Sequence, residues 1–458
     1  MRYYLLNLYI RRVALAAITD FLALAVAATL TWWLVSPPYT LQGYCTAVAA
    51  AALGNFVLLY YADAYGLTVL GSGRGTLASV TVSLGIGAVI LLGSHFVFRY
   101  QAATVETMAH VAALYIGLVL SGRLGFRILS SHPRFQRRVL IVGTSDLARA
   151  IARAVRERRN LGTEVAGFLS DDLDDQGAWI EGYPVLGAVH EIEKVIERDG
   201  VGRIVVASKR RDEYFPAEEL LAAKLEGLRV ESGVAFYERV TGRIYLRELR
   251  ASYLIFSAGF RGGRWLEGSK RAMDVVIAGV GLLLGLPVLL LSALAVKLDS
   301  RGPVFFGQER LGRNGRTYTC WKLRSMRDGA EEETGAVFAA HEDDRKTRVG
   351  KLLRMARLDE IPQLWNVLKG DMSMVGPRPE RPEFVDCLSG KYPYFRLRAS
   401  LKPGLTGWAQ IRHGYVNDVT GYEDKLALDL YYLKYRSFSM DLLILWKTLK
   451  TVVLLSGI

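Results

Sequence analysis

Asp359 and Glu360 are adjacent carboxylates, and cations crowd the chain on their N-terminal side. Arg345, Arg348, Lys351, Arg354 and Arg357 recur every three residues, which on a helix makes a basic stripe drifting slowly around the axis. Val349, Leu352, Leu353 and Ala356 supply its apolar side. Pro362 disfavours helical backbone at Ile361, so the helix is expected to end or bend just past the two carboxylates. Carboxylates at a helix end, facing cations, suit a divalent metal and a phosphorylated substrate. Chemistry alone leaves an ordinary alternative open, because most adjacent acids are solvated surface charges. A second basic group lies upstream, where Lys322 and Arg324 sit two apart in a stretch that reads as a strand. They would share one face, suited to a diphosphate or, alternatively, to lipid headgroups.

The run LDEIPQLWNVLKGDMS, Leu358–Ser373, followed by VGPRP, Val375–Pro379, closely resembles the bacterial sugar transferase family, the monotopic polyprenyl-phosphate phosphoglycosyl transferases. Gly302–Gly312 and Tyr318–Met326 resemble further family motifs, with Leu323 where Phe is usual. Leu401–Arg412 resembles the loop at the nucleotide end of the site, and Asp429 matches an acidic position there. The resemblance covers roughly residues 270–449, while the N-terminal half matches only in architecture.

The resemblance implies a reaction and a set of roles. Asp359 would attack the β-phosphorus of a UDP-sugar and expel UMP, forming an aspartyl–phosphosugar. Undecaprenyl phosphate would then take the sugar phosphate, the initiating step of exopolysaccharide, capsule or O-antigen synthesis. Mg²⁺, with Mn²⁺ as a substitute, would sit on Asp359, while Glu360 orients the metal or accepts a proton. Lys322, Arg324, Arg354 and Arg378 would bind phosphate, and Lys402, Gln410, Arg412 and Asp429 would serve the nucleotide or the wider site.

Composition frames this chemistry. The chain has 458 residues, 51% of them hydrophobic and 22% charged, with a net charge of +13. Two to four domains fit that length. The basic balance comes without a nucleic-acid motif, so membrane surface and phosphate ligands are the expected partners. Cys45, Cys320 and Cys387 are widely spaced and make neither a disulfide framework nor a metal knuckle.

Four apolar blocks, Val13–Val35, Tyr44–Tyr61, Leu77–Phe98 and His110–Leu129, each approach the roughly 20 residues a spanning helix needs. Asp20 and Asp63 fall in or beside them, either as functional intramembrane acids or as acids paired near helix ends. Arg2, Arg11 and Arg12 precede the first block, and Arg134, Arg137 and Arg138 follow the fourth. The positive-inside rule puts both ends in the cytoplasm, consistent with four spans, and the resemblance implies a bacterial inner membrane. Arg138–Ala152 then reads as strand, glycine turn and helix, the opening of a Rossmann-like α/β domain. Ser145 and Ala148 stand where a dinucleotide fingerprint wants glycines, and Asp171 and Asp172 could mimic its ribose-binding acid. Cofactor binding there competes with a scaffold or sensing role.

Val275–Val296 carries no charge, yet Pro287 interrupts it and cations flank both ends. A helix broken at Pro287 that enters and leaves by one membrane face fits these features, and the resemblance implies such a re-entrant hairpin. The expected architecture is therefore a multidomain membrane protein: a four-helix transmembrane bundle over 1–132, a Rossmann-like domain over 133–250, a linker over 251–269, and an α+β monotopic catalytic domain over 270–458 with the re-entrant helix at 271–298. Assembly as a homodimer is one option. Two rivals are a membrane-bound nucleotide-sugar dehydratase, which would need a second glycine-loop unit and a Tyr-x-x-x-Lys pair such as Tyr318 and Lys322, and a non-catalytic membrane scaffold.

Overall fold

The computed structural model describes residues 4–35, 105–131, 137–157, 163–170, 172, 175, 177–208, 216–260, 262–330, 345–413 and 421–453. The chain divides between Thr241 and Gly242 into two units.

In the first unit, α1 (Tyr4–Val35) packs against α2 (Val105–Ser131). These helices contain the first and fourth apolar blocks, and Asp20 is buried in α1. The second and third blocks, with Asp63, lie outside the described residues. Next, β1 (Arg137–Val142), α3 (Asp146–Glu157), β2 (Thr163–Leu169), β3 (Trp179–Ile180) and β4 (Tyr183–Gly187) follow in order. Then come α4 (Ile192–Asp199), β5 (Arg203–Val206), α5 (Ala217–Leu225), β6 (Arg229–Ser232) and α6 (Gly233–Thr241). The strand order is β3-β4-β2-β1-β5-β6, parallel throughout except for the β3–β4 pair. Val139, Leu140, Ile141 and Val142 are all buried, as a parallel strand covered on both faces requires. Leu147, Ile151 and Val155 recur at helical spacing and seat α3 on that sheet.

The second unit starts earlier than the expected catalytic boundary. Ile244 N donates to the Ala427 carbonyl and Phe260 N to that of Lys434, so residues 242–260 dress this unit instead of linking two. Within the expected linker lie α7 (Ala251–Phe256) and the first turn of α8 (Arg264–Asp299). β7 (Phe305–Leu311) and β8 (Thr317–Leu323) form an antiparallel hairpin, with Phe305 opposite Leu323. α9 (Arg348–Met355), α10 (Gln363–Lys369), β9 (Ser373–Val375) and α11 (Pro382–Lys391) follow. β10 (Gly404–Thr406) pairs in parallel with β9, and α12 (Trp408–His413), α13 (Gly421–Tyr435) and α14 (Phe438–Val453) complete the unit.

α8 is long and apolar enough to cross a membrane, and only 11% of its most apolar window is buried. It is one helix with Pro287 inside, so the expected break at Pro287 is absent. The ring removes a single donor, the one the Leu283 carbonyl would accept from, and packing on both sides of the proline carries the helix through. Gly285 faces Ile361 on one side, and Leu289 joins the cluster of Val296, Leu323 and Leu353 on the other. Burying those last three side chains contributes roughly 1.5–3 kcal/mol each.

Polar contacts fasten both ends of α8 to the same unit. Near its start, Arg271 donates to the carbonyls of Val367 and Leu368, both at 2.6 Å. Asp274, buried, accepts from Met374 N at 2.9 Å and Ser373 Oγ at 3.1 Å. At its end, Asp299 accepts from Val349 N at 3.0 Å. The dyad-bearing segment is thus strapped along α8.

Candidate active site

The two carboxylates do not end the cationic helix. α9 stops at Met355, and Arg357 takes the left-handed conformation at φ 54°, which an α-helix cannot continue through. Leu358–Glu360 then make a separate 3-10 turn that leads through Pro362 into α10. The expected helix end past Glu360 is therefore corrected to one before Asp359. The reversal tucks both acids inside, leaving Asp359 5% and Glu360 8% exposed.

Asn366 aligns this turn with the hairpin. It accepts from Trp321 N at 3.1 Å and donates to the Thr319 carbonyl at 2.7 Å, acting as a strand neighbour for β8. Lys322, on the same strand, consequently reaches Glu360 Oε1 at 3.4 Å. Arg378, from the turn after β9, reaches the same oxygen at 3.2 Å. Arg357 Nη1 stands 3.9 Å from Glu360 Oε2. Arg354 donates through Nε to Ser325 Oγ at 2.8 Å, which fixes its guanidinium on the Asp359 side of the cluster.

Adjacent in sequence, the two acids are opposite in character. Burial pushes Glu360 up, but Arg378, Lys322 and Arg357 outweigh it and hold the carboxyl down at about 2. Burial also pushes Asp359 up, and there Lys322, Arg354 and Arg378 only partly offset it while the Glu360 charge adds to the rise. Asp359 makes no side-chain hydrogen bond or ion pair among the described residues. One acid is locked as an anion, and its neighbour is buried, uncommitted and surrounded by cations. Such a pair can present a carboxylate oxygen to an arriving phosphorus while the cations bind the phosphate oxygens.

The structure brings together Asp359, Glu360, Lys322, Arg354 and Arg378 from the expected set. It adds Arg357, a cation of the basic stripe, and Asn366, one of two buried amides in α10. The other expected residues have different partners. Arg324, just beyond the end of β8 and 4% exposed, donates to the carbonyls of Arg301 at 2.7 Å and Ser300 at 2.8 Å. It caps the end of α8 instead of facing a diphosphate beside Lys322. Lys402 lies beside Gly370 at the far end of α10, its ammonium pushed down by burial and by Arg271. Gln410 donates to the Leu405 carbonyl at 3.2 Å, and Arg412 lies over the Trp408 ring. Asp429, 2% exposed, pairs with Arg398 at 2.7 Å.

The Rossmann-like mouth is occupied by its own polar groups. Gly143, at φ 100°, lets Ser208 approach so closely that a Cβ there would stand 2.7 Å from Ser208 Cα. Ser145 Oγ donates to the Ala207 carbonyl at 2.5 Å, while Thr144 and Ser170 hydroxyls donate to Asp175 at 2.6 and 2.9 Å. A carboxylate at the start of α3 opposes a phosphate there. Asp171 lies outside the described residues. Tyr318 and Lys322 share a strand, about 13 Å apart at four residues of rise, so they cannot act jointly as a dehydratase pair.

Comparison with known proteins places these features. The bacterial sugar transferase family matches residues 265–455, and a CoA-binding domain family matches residues 61–213. A UDP-N-acetylgalactosamine-undecaprenyl-phosphate N-acetylgalactosaminephosphotransferase of Aeromonas hydrophila is 45% identical over 271 residues, covering 57% of this chain. The match spans 62% of that relative's length. A UDP-glucose:undecaprenyl-phosphate glucose-1-phosphate transferase of Caulobacter vibrioides is 42% identical, covering 40% of this chain and 69% of its own. An undecaprenyl-phosphate N-acetylgalactosaminyl 1-phosphate transferase assignment in Bacillus subtilis (strain 168) goes with 46% identity over 28% of this chain and 72% of that one. With the acids and their cations falling inside the matched region, this chain belongs to the bacterial sugar transferase family.

Proposed function

We propose that this protein transfers a sugar phosphate from a UDP-sugar to undecaprenyl phosphate, through a covalent phosphosugar on Asp359. The asymmetry of the dyad carries the reading: Asp359 is buried and uncommitted, while Glu360 is held by Lys322 and Arg378. A carboxylate oxygen of Asp359 forms a bond to the β-phosphorus as the bond from that phosphorus to the bridging oxygen breaks, and UMP leaves with the electron pair. An oxygen of undecaprenyl phosphate then attacks the same phosphorus, the Asp359–phosphorus bond breaks, and undecaprenyl-diphosphate-sugar departs. Lys322, Arg354 and Arg378 lie where the phosphate oxygens gather charge, and Glu360 keeps Lys322 and Arg378 in place before substrate arrives. Relatives named for glucose and for N-acetylgalactosamine put both UDP-sugars among the donors to test.

A divalent cation fits the donor set. Among the described residues no group of three or more acidic, His or Cys side chains could enclose an ion. Mg²⁺ commonly takes one or two carboxylates and completes its shell with substrate phosphates and water, so Asp359 with the UDP-sugar diphosphate would hold it, or Mn²⁺. Bound there, it supplies charge neutralisation at the phosphate oxygens.

The membrane arrangement belongs to the same reading. Asp274 and Asp299 bracket the exposed apolar face of α8, and both are fastened to the one unit that holds the dyad. A helix crossing the bilayer would carry its ends to opposite sides, so this double attachment of an unbroken helix favours α8 lying along one membrane face over crossing it. The dyad, the Rossmann-like domain and both ends of a four-span N-terminal bundle then lie at the cytoplasmic face. The full protein, incubated with undecaprenyl phosphate, Mg²⁺ and a panel of UDP-sugars, should release UMP with at least one of them. Failure to release UMP from any UDP-sugar, with folded protein, contradicts the reading.

A further inference from the structure

The turn Pro377-Arg378-Pro379 delivers Arg378 to the dyad, yet its two prolines have no N–H to donate. Other elements hold it by its oxygens. The Pro377 carbonyl accepts from Gly404 N at 2.9 Å, and that of Glu380 accompanies it at the other end by accepting from Leu311 N at 3.0 Å. Between them, the Arg378 carbonyl accepts from Arg398 Nη2 at 3.1 Å and the Pro379 carbonyl from Arg310 Nη1 at 3.1 Å. Four consecutive carbonyls are therefore pinned, two of them by arginine side chains from separate elements.

Arg310 is itself held through Nη2 by Gln308 Oε1, and Arg398 by buried acids. Arg398 is 7% exposed and pairs with Asp429 at 2.7 Å, and its Nη2 stands 3.7 Å from Glu380. Glu380 also pairs with Lys425 and accepts from the Tyr422 hydroxyl at 3.4 Å. Buried guanidinium and carboxylate groups are costly unless fully partnered, and a purely stabilising cluster would not need both arginines to end on carbonyls of one turn.

We infer that Arg398 and Arg310 are positioning residues that hold Arg378 in its phosphate-clamping pose through the carbonyls of its own turn, with Asp429 and Glu380 as their buried counter-charges. The inference rests on the proposed role of Arg378 as a phosphate clamp. It also gives Asp429 a role at one remove from substrate, through Arg398.

The test is a double-mutant cycle on the full-length protein in lipid nanodiscs, reading kcat and KM for UMP release. Arg398→Lys and Arg310→Lys are each made alone and in an Arg378→Ala background, with thermal unfolding as the check on folding. Each single substitution should lower kcat/KM about 10²-fold, the scale of an ångström-level misplacement. In the Arg378→Ala background the further loss should be under about 2-fold, because nothing is left to position. An undiminished loss in that background, or no loss in the singles, overturns the inference. If Arg398→Lys fails to fold, Arg310→Lys gives the same reading from a separate element, the strand β7. A wild type that turns over while Arg378→Ala is unimpaired refutes the clamp itself, and a wild type that releases no UMP refutes the proposed function.

Discussion

Replacing Glu360 by glutamine keeps the shape of the side chain and deletes its charge. Holding this carboxyl at about 2, against an ordinary 4.5, corresponds to roughly 3 kcal/mol of favourable interaction with Arg378, Lys322 and Arg357. The sign is that of a depressed acid: this stabilisation is complete above pH 4.5 and disappears as pH falls through about 2. At pH 7 the Glu360→Gln protein should therefore lose up to about 3 kcal/mol, a fall in melting temperature of roughly 6–12 °C for a unit of this size. The gap from wild type should narrow as the pH is lowered from 4.5 towards 2. The same substitution removes a like charge beside Asp359 and releases two cations towards it, so the Asp359 carboxyl should ionise more readily. Adduct formation should then persist to lower pH than in wild type, even though turnover falls. Thermal unfolding in detergent across pH, with single-turnover UMP release on the same samples, measures both effects. Equal stability of the two proteins at pH 7, or an acid limb that moves up in pH, would refute the reasoning.

Arg378→Lys should lower kcat/KM by about 10²–10³-fold, because an ammonium replaces a planar two-pronged donor; wild-type kinetics would remove Arg378 from the clamp. Cysteines placed at Trp265, Ser300 and Met440 should all resist labelling from outside intact spheroplasts, and labelling of Ser300 or Met440 positions would show that α8 crosses the membrane. The full-length protein should not bind NAD with micromolar affinity in calorimetry, since among the described residues the Asp175 carboxylate and the close Gly143–Ser208 contact oppose a phosphate at the start of α3; micromolar binding would reopen a cofactor role for that domain.

The chemistry of the dyad was legible because it is local. Asp359, Glu360 and the cations around them lie within a short span, and Lys322 follows from a stretch that reads as a strand. What escaped depended on backbone turns and on distant partners. Nothing in the side chain of Arg357 announces a left-handed residue, yet that conformation separates the dyad from its helix. Strand periodicity puts Arg324 on the face of Lys322, but β8 ends at Leu323 and the guanidinium turns to the carbonyls ending α8. Asp429 and Arg398 are 31 residues apart, and only the tertiary fold shows that they meet. Pro287 read as a break because a proline weakens any isolated helix, whereas here Ile361 and the cluster around Val296 support both sides. In the first unit the sheet was readable from runs such as Val139–Val142, buried on both faces. Whether its glycine turn holds a ligand was not, because that depends on Asp175 and Ser208 across the loop.

The assignment of Asp359 as the residue that carries the phosphosugar is tested most directly by mass spectrometry. The protein is exposed briefly to its UDP-sugar and Mg²⁺ without undecaprenyl phosphate, quenched in acid and mapped by peptide. The account predicts one sugar-phosphate adduct on Asp359, lost in Asp359→Asn and retained in part by Glu360→Gln. An adduct on Glu360, or turnover by direct displacement with no adduct at all, would contradict it.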